Sequence, residues 1–450
     1  MKNPHAPASP SLDRRDFLKR SALFGSTLIL TSTLRGQGAD RLARPRVACI
    51  GCGAIAKRNL RAISQVADVV ALCDADFEHA AEYFQSFPKA RKYRDFRRLF
   101  EKERSEIDGV MVSTADHAHY PAALWAMDQG KHLFVEKPMA PFIRQIRDMR
   151  TRAEAKGLIT QMGNQFTHNE HMLTGREYLE AGAIGAVHTV YVWSSNRPFW
   201  PQGFAGWPDA ARVPDHLDWD AWQAAQPERP FSPAIHPRRW RGFLMYGSGS
   251  LGDMGCHLLE FPLYALRAGW PDAVSAETTG VTDVSYPSSM TITYTFAAKG
   301  DRPAFKLVWL DGGQMPPRPS DLSEGRELPE QGVLYHGDGG TMMMPFPPSR
   351  PQILPLTKMK DFLRERQPEK QYPRPADPIW QEWGRAIAGD GTTRSNFAYA
   401  APLTEVVMLG NLAARAGKEI RWDPERMVAA GVPEAQDYLD QAAYREGWTL

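Results

Sequence analysis

Residues 46–56 read Arg46-Val47-Ala48-Cys49-Ile50-Gly51-Cys52-Gly53-Ala54-Ile55-Ala56, and the fold class turns on this stretch. A short β-branched run feeds straight into a G-x-G-x-x-A turn, and a helix predicted over 55–65 follows. In that order each small residue has a task. Gly51 permits the tight turn, Gly53 lets a pyrophosphate approach the backbone, and Ala56 lets the helix pack closely on the strand. Ala54 and Ile55 open the helix, whose N-terminus offers free N–H groups and a positive dipole end to phosphates. Glycine turns also occur in unrelated α/β domains. Here a second strand at 69–73 ends in Asp74, 21 residues after Gly53, where a carboxylate accepts ribose hydroxyls. The same charge repels a 2′-phosphate and Ala75-Asp76 brings no arginine to offset it, so NAD is expected rather than NADP.

Further βα units are predicted from strands at 108–113, 131–135 and 158–162 and helices at 120–129 and 144–156. This pattern implies an α/β Rossmann domain with a doubly wound parallel sheet. Ligands of such sheets lie beyond the C-terminal strand ends. Three loops should therefore face the cofactor cleft: Ser113-Thr114-Ala115-Asp116-His117-Ala118-His119, Glu136-Lys137-Pro138 and Gly163-Asn164-Gln165. Ser113, Thr114, His117, His119, Glu136 and Lys137 are the expected cofactor contacts, and Asn164 and Gln165 the expected substrate contacts.

The fingerprint, the Ser-Thr-x-Asp-His-x-His turn and above all Glu136-Lys137-Pro138 resemble the glucose-fructose oxidoreductase, inositol dehydrogenase and MocA (Gfo/Idh/MocA) family, from about residue 44 to 423. The resemblance implies that Lys137 reaches the reacting hydroxyl and that Pro138 bends the chain beside the nicotinamide. Past residue 165 the periodicity changes. Segments 187–193, 274–282, 290–296 and 305–310 read as β-branched strands without intervening regular helices. A largely antiparallel open sheet is expected in an α+β substrate and oligomerisation domain, 164–450, after a dinucleotide domain at 40–163. Gly247-Ser248-Gly249-Ser250-Leu251-Gly252 opens a helix expected from 253 to about 268, on which Asp253 and His257 share one face. Taken alone, the pair could be a dipole-favoured aspartate and a satisfied core histidine. It also resembles the family's D-x-x-x-H motif, which implies His257 as general base and Asp253 as its orienting or polarising neighbour. Glu260 stands where the family more often has Asp.

Six of the thirteen tryptophans and eight prolines fall between Trp193 and Trp240, too many prolines for regular structure. Trp193, Arg197, His236, Arg239, Trp240 and Arg241 on such loops suit a sugar's C–H face and hydroxyls. Pinning the loop or forming a subunit contact would explain any single aromatic equally well. A second Pro-rich excursion is expected at 315–355, and helices at 380–387 and 398–416, with Glu405 and Asn411, are expected to pack back on the core.

At 450 residues the chain exceeds one hydrophobic core, which stops growing at roughly 250–300 residues. With 54 Lys+Arg against 52 Asp+Glu and no basic block interleaved with aromatics, nucleic acid is not an expected partner. Cys49, Cys52, Cys73 and Cys256 are spaced for neither a disulfide framework nor a zinc site; they are expected as small packing residues, and no metal is expected. Residues 1–39 carry Asp13-Arg14-Arg15-Asp16-Phe17-Leu18-Lys19 before an apolar stretch, which resembles a twin-arginine export signal. The translocation machinery of that route is thus an expected partner, and a periplasmic or otherwise extracytoplasmic location, reached folded, the expected destination.

The expectation is an exported NAD(P)-dependent oxidoreductase acting on a hydroxyl of a sugar or sugar derivative, with tightly bound NAD and Lys137, Asp253 and His257 as catalytic residues. The alternatives are an NAD-dependent glycosidase using transient oxidation, elimination and re-reduction, and a non-catalytic sugar-binding module. An open antiparallel sheet also suggests a homo-oligomer.

Overall fold

The computed structural model describes residues 44–448 except Ala54, 195–201, Gln367 and Ala442. The expected export signal with Arg14 and Arg15, the fingerprint residue Ala54, and Arg197 lie outside the described residues. Two sheets account for the architecture.

The first is a parallel sheet of β1 (Arg46–Ile50), β2 (Asp68–Cys73), β3 (Arg91–Tyr93), β4 (Gly109–Val112), β5 (His132–Val135) and β6 (Thr160–Met162), in the order β3-β2-β1-β4-β5-β6. Val47 to Ile50 and all of β4 are buried, as central strands covered on both faces require. The chain leaves β1 toward β2 on one side and later returns to β4 on the other, opening a crevice at that switch point. Gly51 turns there at φ +85°; a Cβ on it would stand 2.6 Å from the Ser113 carbonyl group, so only glycine lets the β1 turn pass the end of β4.

The second sheet contains β7 (Val187–Ser194), β8 (Ala273–Thr279), β9 (Ser289–Phe296), β10 (Phe305–Leu310), β11 (Gln331–Gly337), β12 (Gly340–Pro345), β13 (Gln352–Leu354), β14 (Ile420–Asp423) and β15 (Val428–Ala430). Its order is β13-β12-β11-β7-β10-β9-β8-β14-β15, and every pairing is antiparallel except β7 with β10. β9 shows why one face is core: Met290, Ile292, Tyr294 and Phe296 are buried, while Ser289, Thr291, Thr293 and Thr295 alternate outward. Against that buried face lie the Gly249–Leu258 helix, buried along its whole length, and the Phe397–Ala416 helix. Gly255 allows their close approach, since a Cβ on it would meet Val407 at 3.0 Å.

The described residues form one compact unit. Arg147, on the Ile143–Ala155 helix of the first half, pairs with Glu405 of the Phe397–Ala416 helix at 2.6 Å. The four cysteines are free and buried.

Three sequence expectations are corrected. Only the front of the 315–355 segment is an irregular excursion; β11, β12 and β13 occupy the rest. Its prolines flank β11 and the body of β12, where Val333 to Tyr335 and Met342 to Met344 are buried strand residues. The helix expected from 253 begins earlier, at Gly249, and gives way at Leu259 to a second helix, Glu260–Ala265. The 193–240 stretch includes a short helix, Trp219–Gln223, started by the Asp218 side chain accepting from the Ala221 N–H.

Candidate active site

A cavity of about 330 Å³ lies over the C-terminal ends of β1, β2 and β4, a volume within the range of small-ligand pockets, about 300–1,000 Å³. Gly51, Gly53 and Ile55 line it from the glycine turn, Asp74 from β2, and Ser113 and Thr114 from β4. Ala56 is buried beneath, against the sheet. Asp74 accepts the Cys52 N–H at 2.6 Å and the Asp76 N–H at 2.9 Å, so its carboxylate also braces the turn. Burial pushes its pKa above the ordinary carboxylate value despite those bonds. Asn59, which the sequence reading passed over, ties two strand ends together: its amide donates to Ser113 Oγ at 3.0 Å and to Glu136 Oε1 at 2.9 Å. Glu136 lies against Gly163, where a Cβ would stand 2.5 Å from the carboxylate. A glycine turn at the end of β1, a helix N-terminus and a carboxylate at the end of β2 fit a dinucleotide.

The opposite wall comes from the second half: Trp222, His236, Arg238, Trp240 and Arg241 line the same cavity. This strap is fastened where β2 ends. Asp218 N–H donates to Ala75 O at 2.8 Å, Phe77 N–H to His216 O at 3.1 Å, and the Arg94 guanidinium to His216 O at 2.6 Å. Asp76 receives His216 Nδ1 on one oxygen and His236 Nε2 on the other, each at 2.8 Å. Burial works against the Asp76 charge, but these hydrogen bonds and that from the His79 N–H hold its pKa well below the usual range.

Lys137 follows β5 and crosses to the Gly249–Leu258 helix. Its Nζ lies 2.5 Å from Asp253 Oδ1 and donates to the Asp253 carbonyl at 2.9 Å; Arg241 Nε is 3.5 Å from the same carboxylate oxygen. Burial opposes both charges, yet Lys137 and Arg241 hold Asp253 at about 2, and Asp253 keeps Lys137 above the ordinary lysine value. One helical turn on, His257 is buried beside Phe166 and Phe346, with ring centroids 5.3 and 6.0 Å away. Its Nδ1 is 2.5 Å from Asn164 Oδ1. Burial, with the Lys137 charge nearby, pushes its pKa down to about 3, so the ring is neutral at neutral pH. A fixed ammonium thus stands close to a neutral imidazole, a pairing able to polarise a hydroxyl and take its proton.

Several expected contacts fall elsewhere. His119 is buried with Nδ1 on Pro138 O (2.8 Å) and Nε2 on Thr114 O (3.2 Å), so it braces the Lys137-Pro138 turn and presents no polar atom to a cofactor. His117 lines the cavity, but its nitrogens meet the carbonyls of Tyr246 and Trp222 at 3.1 and 2.8 Å and tether the strap. Trp193 is fully buried on the outer face of the second sheet with Leu310 and Leu322, its indole N–H donating to Pro329 O at 2.8 Å. Asn164 is fully buried with both ends of its amide engaged, so neither Trp193 nor Asn164 is placed as a sugar contact. Gln165 lines a separate groove with Arg58 and Trp380. Trp240 and Arg241 stand together in the cavity wall, the guanidinium 4.2 Å from the indole ring centroid. His236, expected as a sugar contact, is instead engaged by Asp76, and the pairing of Asp76 with His216 and His236 left no local signal because the partners are remote in sequence.

Residues 45–164 match the model of an oxidoreductase family with an NAD-binding Rossmann fold, and residues 176–298 match that family's C-terminal alpha/beta domain; together they cover more than half of the chain. Among curated proteins, levoglucosan dehydrogenase of Pseudarthrobacter phenanthrenivorans is 25% identical over 43% of this chain and 41% of its own length. The inositol 2-dehydrogenase/D-chiro-inositol 3-dehydrogenase of Lacticaseibacillus casei is 30% identical over 31% of this chain and 42% of its own. The chain thus spans about two fifths of each of these relatives. Among solved structures, the WlbA dehydrogenase from Bordetella pertussis in complex with NADH and UDP-GlcNAcA superposes with a TM-score of 0.60 at 16% identity, over 84% of this chain and 99% of that one. Levoglucosan dehydrogenase in complex with NADH and L-sorbose gives 0.57 at 18% identity, over 84% and 99%. At such identities the likeness is one of fold.

Proposed function

The chain belongs to the Gfo/Idh/MocA oxidoreductase family, with its NAD-binding Rossmann domain, and we propose that it oxidises a hydroxyl of a sugar or sugar derivative. The observation that carries this reading is the Lys137–Asp253 ion pair with neutral His257 one turn further along the same helix. NAD, when bound, supplies the hydride acceptor. The protein's own part is position and proton transfer. Lys137, kept charged by Asp253, donates to the substrate hydroxyl oxygen and stabilises negative charge there. His257 Nε2 takes the hydroxyl proton as the C–H bond gives up its hydride, leaving a carbonyl. Arg241 and Trp240 close the site from the strap side, and Phe166 and Phe346 exclude water around the imidazole.

The same proposal includes a retained cofactor preferred as NAD over NADP, export by the twin-arginine route to an extracytoplasmic location, and a homo-oligomer. Retention is supported by the strap, which roofs the dinucleotide cavity with residues from the second half. An enclosed cofactor also suits the glycosidase alternative, in which oxidation and re-reduction occur in one cycle. The test is mass spectrometry of the purified protein for bound dinucleotide, followed by a sugar panel monitored for nicotinamide reduction and for glycosidic cleavage. Reduction with net sugar oxidation is expected. Cleavage without net oxidation would establish the alternative, and neither reaction on any sugar would overturn both.

A further inference from the structure

Asn164 lies two residues past the end of β6, with its side chain fully buried behind the Gly249–Leu258 helix. Its Nδ2 donates to the Cys256 carbonyl at 2.8 Å and to Glu260 Oε2 at 2.5 Å. The Cys256 carbonyl can only accept and so demands the NH₂ end, which decides the orientation of the amide. Glu260 is held in turn, Oε2 by Thr167 Oγ1 at 3.3 Å and Oε1 by the Tyr399 hydroxyl at 2.7 Å. The Asn164 carbonyl is thereby aimed at His257 Nδ1, 2.5 Å away. A carbonyl oxygen only accepts. The single proton of the neutral ring therefore sits on Nδ1, and Nε2 keeps its lone pair.

We propose that Asn164 is a positioning residue for hydroxyl oxidation: it locks His257 in the Nδ1–H tautomer that leaves Nε2 free as base, with Glu260, Thr167 and Tyr399 locking Asn164. The proposal rests on His257 being the base. The Gly249–Leu258 helix supplies His257, while the loop after β6 supplies the group that selects its tautomer. Glu260, one turn beyond the aspartate–histidine pair, thereby has a role at one remove from the substrate.

The test is ¹⁵N NMR of the full-length, NAD-loaded protein labelled at histidine, with the His257 resonances assigned by their loss in His257→Gln. The wild type should show a protonated Nδ1 and an unprotonated Nε2. Asn164→Leu, which removes the acceptor facing Nδ1, should lose that single-tautomer pattern. With D-glucose, myo-inositol and levoglucosan as probes, Asn164→Leu should lower kcat on the order of 10²-fold or more with little change in KM. A wild-type ring protonated on Nε2 overturns the proposal without any variant, and so does an Asn164→Leu protein with unchanged tautomer. Full activity in His257→Ala would instead sink the base assignment and leave the tautomer result standing.

Discussion

His236 donates from Nε2 to Oδ2 of Asp76 across 2.8 Å, joining residues 160 positions apart and fastening the second half of the chain over the end of β2. The other Asp76 oxygen takes His216, and the main chain on either side forms a bridge between Asp76 and Leu217. The contacts close the cavity from above while the glycine turn closes it from below.

Unfastening this strap should release the cofactor. Holding a dinucleotide for minutes requires roughly nanomolar affinity, which at an association rate near 10⁶ per molar per second means a dissociation rate of about 10⁻³ per second. Asp76→Ala removes both histidine hydrogen bonds to the charged group, each worth about 1.5–3 kcal/mol, together with those from the Glu78 and His79 N–H groups. It should speed dissociation on the order of 10- to 100-fold, measured as dinucleotide left after dialysis. Because the folded pKa of Asp76 is depressed, its contribution is present above the ordinary carboxylate range and lost only as pH falls through the lower folded value. Retention at mildly acidic pH that already fails in the wild type would contradict this.

Lys137→Met and His257→Ala should each lower hydride transfer by about 10²–10⁴-fold without disturbing bound cofactor. Nicotinamide absorbance in single turnovers reads the effect. Near-normal rates in both variants would remove these residues from the chemistry.

Asp74→Ala should weaken NAD binding and narrow its advantage over NADP. Two losses combine: the charge facing the ribose, and the acceptor for the Cys52 and Asp76 N–H groups that brace the glycine turn. Fluorescence titration with each dinucleotide measures both. A wild type that prefers NADP would refute the role given to Asp74.

Burial pushes Glu260 up to about 8 despite hydrogen bonds from Tyr399, Thr167 and Asn164. A carboxyl whose pKa is higher folded than unfolded stabilises fully below the unfolded value, and that contribution fades as pH rises through the folded one. Thermal stability should therefore decline between about pH 5 and 8 on this group's account. Glu260→Gln should flatten the decline in calorimetric melts, and an unchanged pH dependence would assign it to other groups.

Replacing Arg14 and Arg15 by Lys should trap the protein inside the cell with its leader uncut, as read by cell fractionation and N-terminal mass analysis. Unchanged export would point to another route.

Much of the fold was legible because its signals are local. The strand–turn–helix at 46–56 sets Gly51 against the backbone of Ser113 wherever such a strand order forms, and β9 writes its buried face as alternating Met290, Ile292, Tyr294 and Phe296. β11 and β12 were hidden by the prolines around them, and the charged edge strand β3 has no apolar pattern to read.

The sequence by itself singled out the candidate residues: a fingerprint, a lysine after a strand, and an aspartate and histidine one helical turn apart, each a short-range pattern. Only the tertiary structure decided what they touch. Asn164 lies 93 residues from His257 and Asp76 lies 140 from His216, so neither partner leaves a trace in local periodicity. Trp193, a candidate sugar contact by composition, went to the outer-face core instead. Its position on β7 placed it against Leu310 and Leu322, and burial there outweighed any role its neighbours in sequence suggested.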